Sequence, residues 1–276
     1  MFTALFNAND AERVQIMPEE FEITFQDRSF IFPEQMDRDH VHRKIKSAGT
    51  FYEIELLQYL ANHVTTPGVA IDCGANIGNH TLFFAGVLGL RTLAVEPVAR
   101  NYQILEKVLE LNGLTDEVDV IRMALDEKAG DVTMTLDDPG NFGMYKVGEG
   151  DGPSVKTTTL DTLTRDLEAP VRLIKIDVEG FQNQVVRGAK DTLAKHKPLI
   201  AAELASTEEY NSFLALIAPF DYLPVNVFNR TPTMVFCADG SMPDNSISVV
   251  ASLRAYERRM VFIQPIQRFL TRLQKR

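Results

Sequence analysis

The chain has 276 residues, 45% of them hydrophobic and 24% charged, an ordinary globular composition that excludes a disordered or collagen-like chain and suffices for one α/β core with appended pieces. Its net charge of −10 disfavours nonspecific capture of nucleic acid by the bulk surface, so a small or neutral substrate fits better. Two isolated cysteines, Cys73 and Cys237, exclude a disulfide scaffold and a zinc cluster and suit a reducing compartment, read here as the cytoplasm. Neither a signal peptide nor a membrane-spanning run is expected.

FEITFQDRSFIF, residues 21–32, alternates apolar and polar side chains around Asp27-Arg28 and predicts a small N-terminal hairpin. Ile54, Leu57, Leu60 and Ala61 recur at helical spacing before Thr66-Pro67-Gly68 stops the helix. A strand over Val69 to Asp72, a Gly/Asn turn and a helix through Leu82 to Leu88 follow. Next come a strand over Thr92 to Val95 and a helix carrying Tyr102, Leu105, Val108 and Leu109, closed by Asn112-Gly113. Further strands are read at Val118 to Ile121, Val171 to Ile176 and Leu199 to Ala202, with one helix over Gln184 to Ala194. Five strands alternating with helices predict a doubly wound, mostly parallel α/β sheet. DDPGNFGMYKVGEGDGP, residues 137–153, holds five glycines and reads as a loop or lid. YLPVNVFNRTPTMVFCADGS predicts a terminal antiparallel hairpin around Asn229-Arg230-Thr231-Pro232.

The segment Val69-Ala-Ile-Asp-Cys-Gly-Ala-Asn-Ile-Gly-Asn-His-Thr81 carries most of the chemical information. Glycines between a strand and a helix N-terminus let backbone amides approach a nucleotide-like cofactor. The acid Asp72 precedes the turn and the glycines are Gly74 and Gly78, which is not G-x-G-x-x-G, so a nicotinamide oxidoreductase is the weaker reading. Glu96 ends the next strand, where a carboxylate can accept both hydroxyls of a ribose. An acid at Asp72 is of no use to a pyrophosphate but suits a cationic amino-acid moiety, and together these features indicate S-adenosylmethionine. A turn that serves packing alone is the competing reading.

YEIELL, AIDCGANIGNHTLFFA, AVEPVARNYQIL, ALDEKAG, TTLDTL, LIKIDVEGFQNQVVRGA and PLIAAEL, spanning Tyr52 to Leu204, resemble FkbM-type methyltransferases of the class I, Rossmann-like fold. FNRTPTMVF resembles the terminal hairpin of that family. The resemblance implies that Asp72, Gly74, Asn76 and Gly78 line the methionine part of the cofactor, that Glu96 holds its ribose, and that Met123 and Ala124 flank adenine. Asn79 and Pro97, beside these, are assigned to the same cofactor. Asn76 replaces the middle glycine of the general class I pattern and tolerates the left-handed backbone such a turn needs. Residues 1–51 are then an N-terminal cap, 52–242 the methyltransferase domain and 243–276 a basic tail.

Ligands of open α/β sheets bind outside the carboxyl ends of the strands, which makes Asp177, Glu179 and Glu203 the catalytic candidates. Lys175, Asp177 and Glu179 alternate with apolar residues and share one side if the strand continues. A charge in a parallel strand buried on both faces points to function, although a Lys175–carboxylate pair that satisfies itself, with Glu179 capping a helix, is the structural alternative. Glu179 is the first choice as general base, Glu203 orients the sugar, and Asp177 positions the cofactor or Lys175. His80 is a second candidate base, against the competing reading of a helix-start histidine that contacts the cofactor or the core. Glu53 is placed near the cofactor's amino group. Lys175, Asn141 and Tyr145 are placed at the acceptor. No metal is required by the sequence, although one could bridge the carboxylates.

The stretch from Pro243 to Arg276 carries seven basic residues against Asp244 and Glu257. A helix there can contact an anionic membrane or dock on the acidic body. The expected activity, by resemblance, is S-adenosylmethionine-dependent O-methylation of a sugar hydroxyl in a glycan or glycosylated metabolite. A cofactor-binding regulator without turnover is the rival. The oligomeric state is not legible.

Overall fold

The computed structural model describes residues 19–34, 39–136, 145–148 and 153–238. The chain opens with a hairpin, β1 (Glu20–Phe25) and β2 (Arg28–Pro33). Phe25 pairs with Arg28, so the turn is Gln26-Asp27, one residue earlier than the sequence suggested. Gln26 takes the positive φ of 53° that such a tight reversal demands. Alternation turns Ile23, Phe25, Phe30 and Phe32 inward, where they join Phe51 and Phe83 in one cluster. The ring centroids of Phe25 and Phe83 stand 5.3 Å apart, edge to face. Two helices follow, α1 (His40–Ala48) and α2 (Ile54–His63). Asp39 caps α1 by accepting from the His42 amide at 2.9 Å.

The central sheet is built from β3 (Val69–Cys73), β4 (Arg91–Val95), β5 (Val118–Ile121), β10 (Val171–Ile176), β11 (Leu199–Glu203), β12 (Tyr222–Phe228) and β13 (Thr233–Ala238). Between β5 and β10 lie β6 (Ala124–Leu125), β7 (Gly130–Leu136), β8 (Tyr145–Gly148) and β9 (Ser154–Thr158), which form a separate four-stranded sheet in the order β6-β9-β7-β8. The helices interleaved with these strands are α3 (Asn79–Gly86), α4 (Ala99–Leu111), α5 (Leu160–Thr164), α6 (Gln182–Arg187), α7 (Lys190–His196) and α8 (Thr207–Ile217).

The order of the central sheet is β12-β13-β11-β10-β3-β4-β5. Pairs from β11 to β5 are parallel, and β13 runs antiparallel to both its neighbours. Every residue of β3 is buried. Its Ile71 and Cys73 face a cluster with Leu160, Val185, Leu193 and Phe213, while Ala70 faces the cluster of Leu56, Leu60 and Phe83. Helices therefore cover both faces, as a continuous apolar strand requires. The strand order reverses between β3 and β10, and the crevice at their carboxyl ends is where an open α/β sheet receives a ligand.

Two further sequence readings change. The single helix over Gln184 to Ala194 is two, α6 and α7, broken at Gly188, where a Cβ would stand 2.3 Å from the Asp126 carbonyl oxygen. Within the glycine-rich stretch, Tyr145–Gly148 is a strand, and the rest of it up to residue 152 lies outside the described residues. The basic tail, 243–276, also lies outside them. Among the described residues no helix is long and apolar enough to cross a membrane.

Candidate active site

The turn after β3 is shaped by what it must pass. A Cβ on Gly74 would sit 2.0 Å from the Asp177 carbonyl oxygen, and its φ of 81° is a left-handed conformation; both demand glycine. Cys73 O accepts from the Asp177 amide at 3.0 Å, so the ends of β3 and β10 are tied together. Asn76 follows at φ 50°, within the conformational range asparagine tolerates. Its amide donates to Glu96 Oε2 at 2.8 Å, and the Val98 amide donates to Oε1 at 2.9 Å. Burial pushes the Glu96 carboxyl up to about 7 despite these two amides.

Beneath the turn lies a polar layer within an apolar core. Asp72 is fully buried and accepts from Thr81 Oγ1 at 2.7 Å. Lys175 is 3% exposed; its Nζ stands 3.7 Å from Asp72, 3.1 Å from Asp177 and 3.4 Å from the Gly74 carbonyl oxygen. Burial works to lower the Lys175 pKa, yet Asp177, Asp72 and Glu53 together hold it above the usual lysine value. This ammonium therefore joins the strand end, the glycine turn and the acidic group in one ion-pair layer.

Asp177, Glu179 and Glu203 each offer a carboxylate oxygen, all within 4.8 Å of one another. β10 ends at Ile176 and Glu179 turns left-handed at φ 42°, so a reversal of the chain, not a continuing strand, brings Glu179 back to its partners. Nor does Glu179 cap the next helix, whose N-cap is Phe181. Burial raises the pKa of Asp177, but Lys175 and a hydrogen bond with Glu203 outweigh it and hold the carboxyl below the usual range. Burial, with Asp177, Glu179 and Glu53 adding to it, drives the Glu203 pKa far up. The pair keeps a proton on Glu203 and a charge on Asp177.

On the opposite wall, Asn79 fixes the entry to α2. Its Oδ1 accepts from the Tyr52 amide at 2.9 Å and its Nδ2 donates to the Tyr52 carbonyl oxygen at 3.1 Å. Glu53, at φ 58°, is thereby set beside α3, where its Oε2 meets His80 Nε2 at 3.1 Å. Tyr52 is pushed up to about 12 by burial and by Glu53, Glu203 and Asp177.

These groups line a cavity of about 400 Å³. Of the residues assigned to the cofactor, Glu53, Gly74, Asn76, Asn79, Glu96, Pro97 and Ala124 line it, together with His80, Lys175, Asp177, Glu179 and Glu203. Two predicted cofactor residues stand elsewhere. Asp72 lies behind the wall, occupied by Thr81 and Lys175, and Gly78 starts α3, where a Cβ would meet Leu105 at 2.6 Å. Asn79 lines the cavity, but its amide is spent on Tyr52. Lys175, read as an acceptor ligand, has its ammonium engaged by Asp72, Asp177 and Gly74. Asn141 lies outside the described residues, as does the side chain of Tyr145. The wall also includes His40, Tyr52, Met134 and Thr231. Sequence gave no signal for these, because each arrives from an element distant in the chain.

A family model described as the methyltransferase FkbM domain matches residues 72–223, more than half of the chain. The hexuronic acid methyltransferase AglP of Haloferax volcanii is 24% identical over 51% of this chain and 58% of its own. The 2-O-methyltransferase NoeI of Sinorhizobium fredii is 36% identical over 36% of this chain and 42% of its own. The chain thus spans about half the length of the curated relatives it matches. A crystal structure of methyltransferase FkbM from Methylobacillus flagellatus aligns over 62% of this chain and 43% of that one, with 21% identity and a TM-score of 0.45. On the strength of the match over residues 72–223, the chain belongs to the FkbM methyltransferase-domain family.

Proposed function

We propose that this chain is an S-adenosylmethionine-dependent O-methyltransferase whose acceptor is a sugar hydroxyl. The observation that carries the reading is the group of three carboxyls, Asp177, Glu179 and Glu203, in the same cavity as the glycine turn and Glu96. Family membership supports methyl transfer, and the names of the two relatives support a sugar in one case and an oxygen in the other.

The residues present fit the cofactor. Glu96 accepts from two backbone amides, and a carboxylate has lone pairs left for two ribose hydroxyls. Asn76 Oδ1 is buried with no hydrogen-bond partner among the described residues, an acceptor open to a ligand donor. Met123, Ala124 and Leu125 offer an apolar flank for a purine. When bound, S-adenosylmethionine supplies a methyl group on a sulfonium, already an excellent leaving group.

The protein's own part is to orient the hydroxyl and to take its proton. Glu203 retains its proton and Lys175 makes Asp177 a weak base, so Glu179 is assigned as proton acceptor, with Asp177 and Glu203 orienting the sugar. A second reading gives the proton to His80, whose Nε2 is held by Glu53. Incubation with methyl-labelled S-adenosylmethionine and a panel of glycosides tests the proposal. Label on a sugar oxygen with release of S-adenosylhomocysteine is expected. No binding of S-adenosylhomocysteine refutes the cofactor, and binding without transfer to any glycoside refutes the sugar and favours a regulator.

A further inference from the structure

Resting on the O-methyltransferase reading above, we propose that Tyr52 is an acceptor-binding residue whose phenol donates a hydrogen bond to a sugar oxygen beside the one methylated, and that Asn79 positions it. Tyr52 lines the cavity together with Glu53, Asp177 and Glu203. It reaches that wall from the segment before α2, which is held by two consecutive residues in the first turn of α3. Asn79 is 3% exposed and engages both backbone polar groups of Tyr52, accepting from the amide at 2.9 Å and donating to the carbonyl oxygen at 3.1 Å. His80, the next residue, meets the Glu53 carboxylate at 3.1 Å. Glu53 keeps a left-handed φ of 58°, a conformation costly for any residue with a Cβ and retained only where the surroundings hold it. His40 packs against the Tyr52 ring at an interplanar angle of 89°, with centroids 6.0 Å apart, so the side chain is confined as well as the backbone.

A group fixed in this way suits recognition, because it binds without first having to be ordered. The phenol stands with the acidic group that the proposed function assigns to the sugar. Burial together with Glu53, Glu203 and Asp177 pushes its pKa up to about 12, so at neutral pH it holds its proton and donates. Ionised carboxylates only accept, and the proton kept by Glu203 is engaged with Asp177. Carboxylates therefore serve the hydroxyl hydrogens of a sugar, whereas its oxygen lone pairs call for a donor, and Tyr52 supplies one. A donor on the reacting oxygen would draw off the electron pair that attacks the methyl carbon, which places the bond on a neighbouring oxygen. Holding that neighbour from one side while carboxylates hold the hydroxyl hydrogens fixes which lone pair faces the methyl group, as in-line transfer requires.

Tyr52→Phe removes a single oxygen and leaves the ring, and Asn79→Ala removes the clamp and leaves the phenol. In the full chain, label transfer from S-adenosylmethionine to a panel of p-nitrophenyl glycosides is measured for the wild type, both variants and the double variant, with S-adenosylhomocysteine affinity measured by calorimetry. Tyr52→Phe is expected to lower kcat/KM for the glycoside about tenfold, chiefly through a higher glycoside KM, while S-adenosylhomocysteine binds as in the wild type. Asn79→Ala should lower it about 10- to 10²-fold, and the double variant should lose no more than Asn79→Ala alone, because the phenol is then already displaced. An unchanged kcat/KM in Tyr52→Phe overturns the role of the hydroxyl, whatever Asn79→Ala does to folding. Weakened S-adenosylhomocysteine binding in Tyr52→Phe assigns the phenol to the cofactor and overturns it equally. Additive losses in the double variant overturn the positioning by Asn79. Transfer by the wild type to no glycoside, with S-adenosylhomocysteine still bound, shows that the sugar reading itself fails, and the assignment of Tyr52 is overturned with it.

Discussion

Replacing Glu96 by Gln separates the cost of burying a carboxyl from its use in binding. Glu96 is 4% exposed and its pKa rises from 4.5 to about 7, chiefly through burial. A carboxyl that holds its proton more tightly folded than unfolded favours the folded state at low pH. That advantage is complete below about 4.5, declines as pH rises through the window up to about 7, and is gone above it. At about 1.4 kcal/mol per tenfold change in proton affinity, the wild type loses about 3 kcal/mol across this window through Glu96 alone. Glu96→Gln cannot lose it. The substitution also leaves the Asn76 or Val98 amide without its acceptor, at a cost of about 1–3 kcal/mol that does not vary with pH. Urea unfolding of both proteins at intervals from pH 4.5 to 8.5 should therefore give a stability difference that shifts in favour of the variant by about 3 kcal/mol as pH rises. Affinity for S-adenosylhomocysteine should move the other way, since the ionised carboxylate is the better acceptor for ribose hydroxyls. It rises through about pH 7 in the wild type and stays low and flat in the variant. A stability difference independent of pH, or wild-type affinity unchanged between pH 5.5 and 8.5, would refute the account of Glu96.

Four further outcomes follow from the same geometry. Lys175→Met removes the cation shared by Asp72 and Asp177 and should cost about 3–5 kcal/mol; adding Asp177→Asn should recover part of that loss in thermal unfolding, and no recovery would mean the lysine acts by packing alone. Gly74→Ala places a Cβ 2.0 Å from the Asp177 carbonyl oxygen and should lower S-adenosylhomocysteine affinity by calorimetry, with wild-type affinity counting against the close passage of the turn. Glu179→Gln should bind S-adenosylhomocysteine normally while losing about 10²–10⁴ in turnover, and turnover near the wild-type value passes the base to His80. EDTA should leave turnover unchanged, because Lys175 and the proton on Glu203 already offset the clustered charge; inhibition reversed by a divalent cation would assign the three carboxyls to a metal.

What the sequence could show depended on how far apart the interacting residues lie along the chain. The strand–turn–helix around Gly74, and the acid that ends β4, are local patterns in which backbone conformation and residue type agree, and the structure places them side by side at the sheet's switch point. Lys175 was legible for the opposite reason, since a charge in a strand otherwise buried and apolar violates its local rule and so marks the site. Asp177 was legible as its partner, but the second partner was not. Asp72 reads locally as a cofactor ligand, and only the parallel pairing of Lys175 with Asp72 in neighbouring strands turns that carboxylate inward to the ammonium. Gly78 likewise reads as part of the cofactor turn until α4 is folded back over it and Leu105 fills the space a side chain would need. The same argument accounts for Gly188, whose close neighbour Asp126 is 62 residues earlier, and for Tyr52 and Thr231, which reach the cavity from opposite ends of the described chain. Burial then does what composition cannot express. Asp177, Glu179 and Glu203 are three ordinary acids in the sequence, and become one charged carboxylate beside one protonated carboxyl, with Glu179 as the third member, only once the end of β10 is folded against the end of β11.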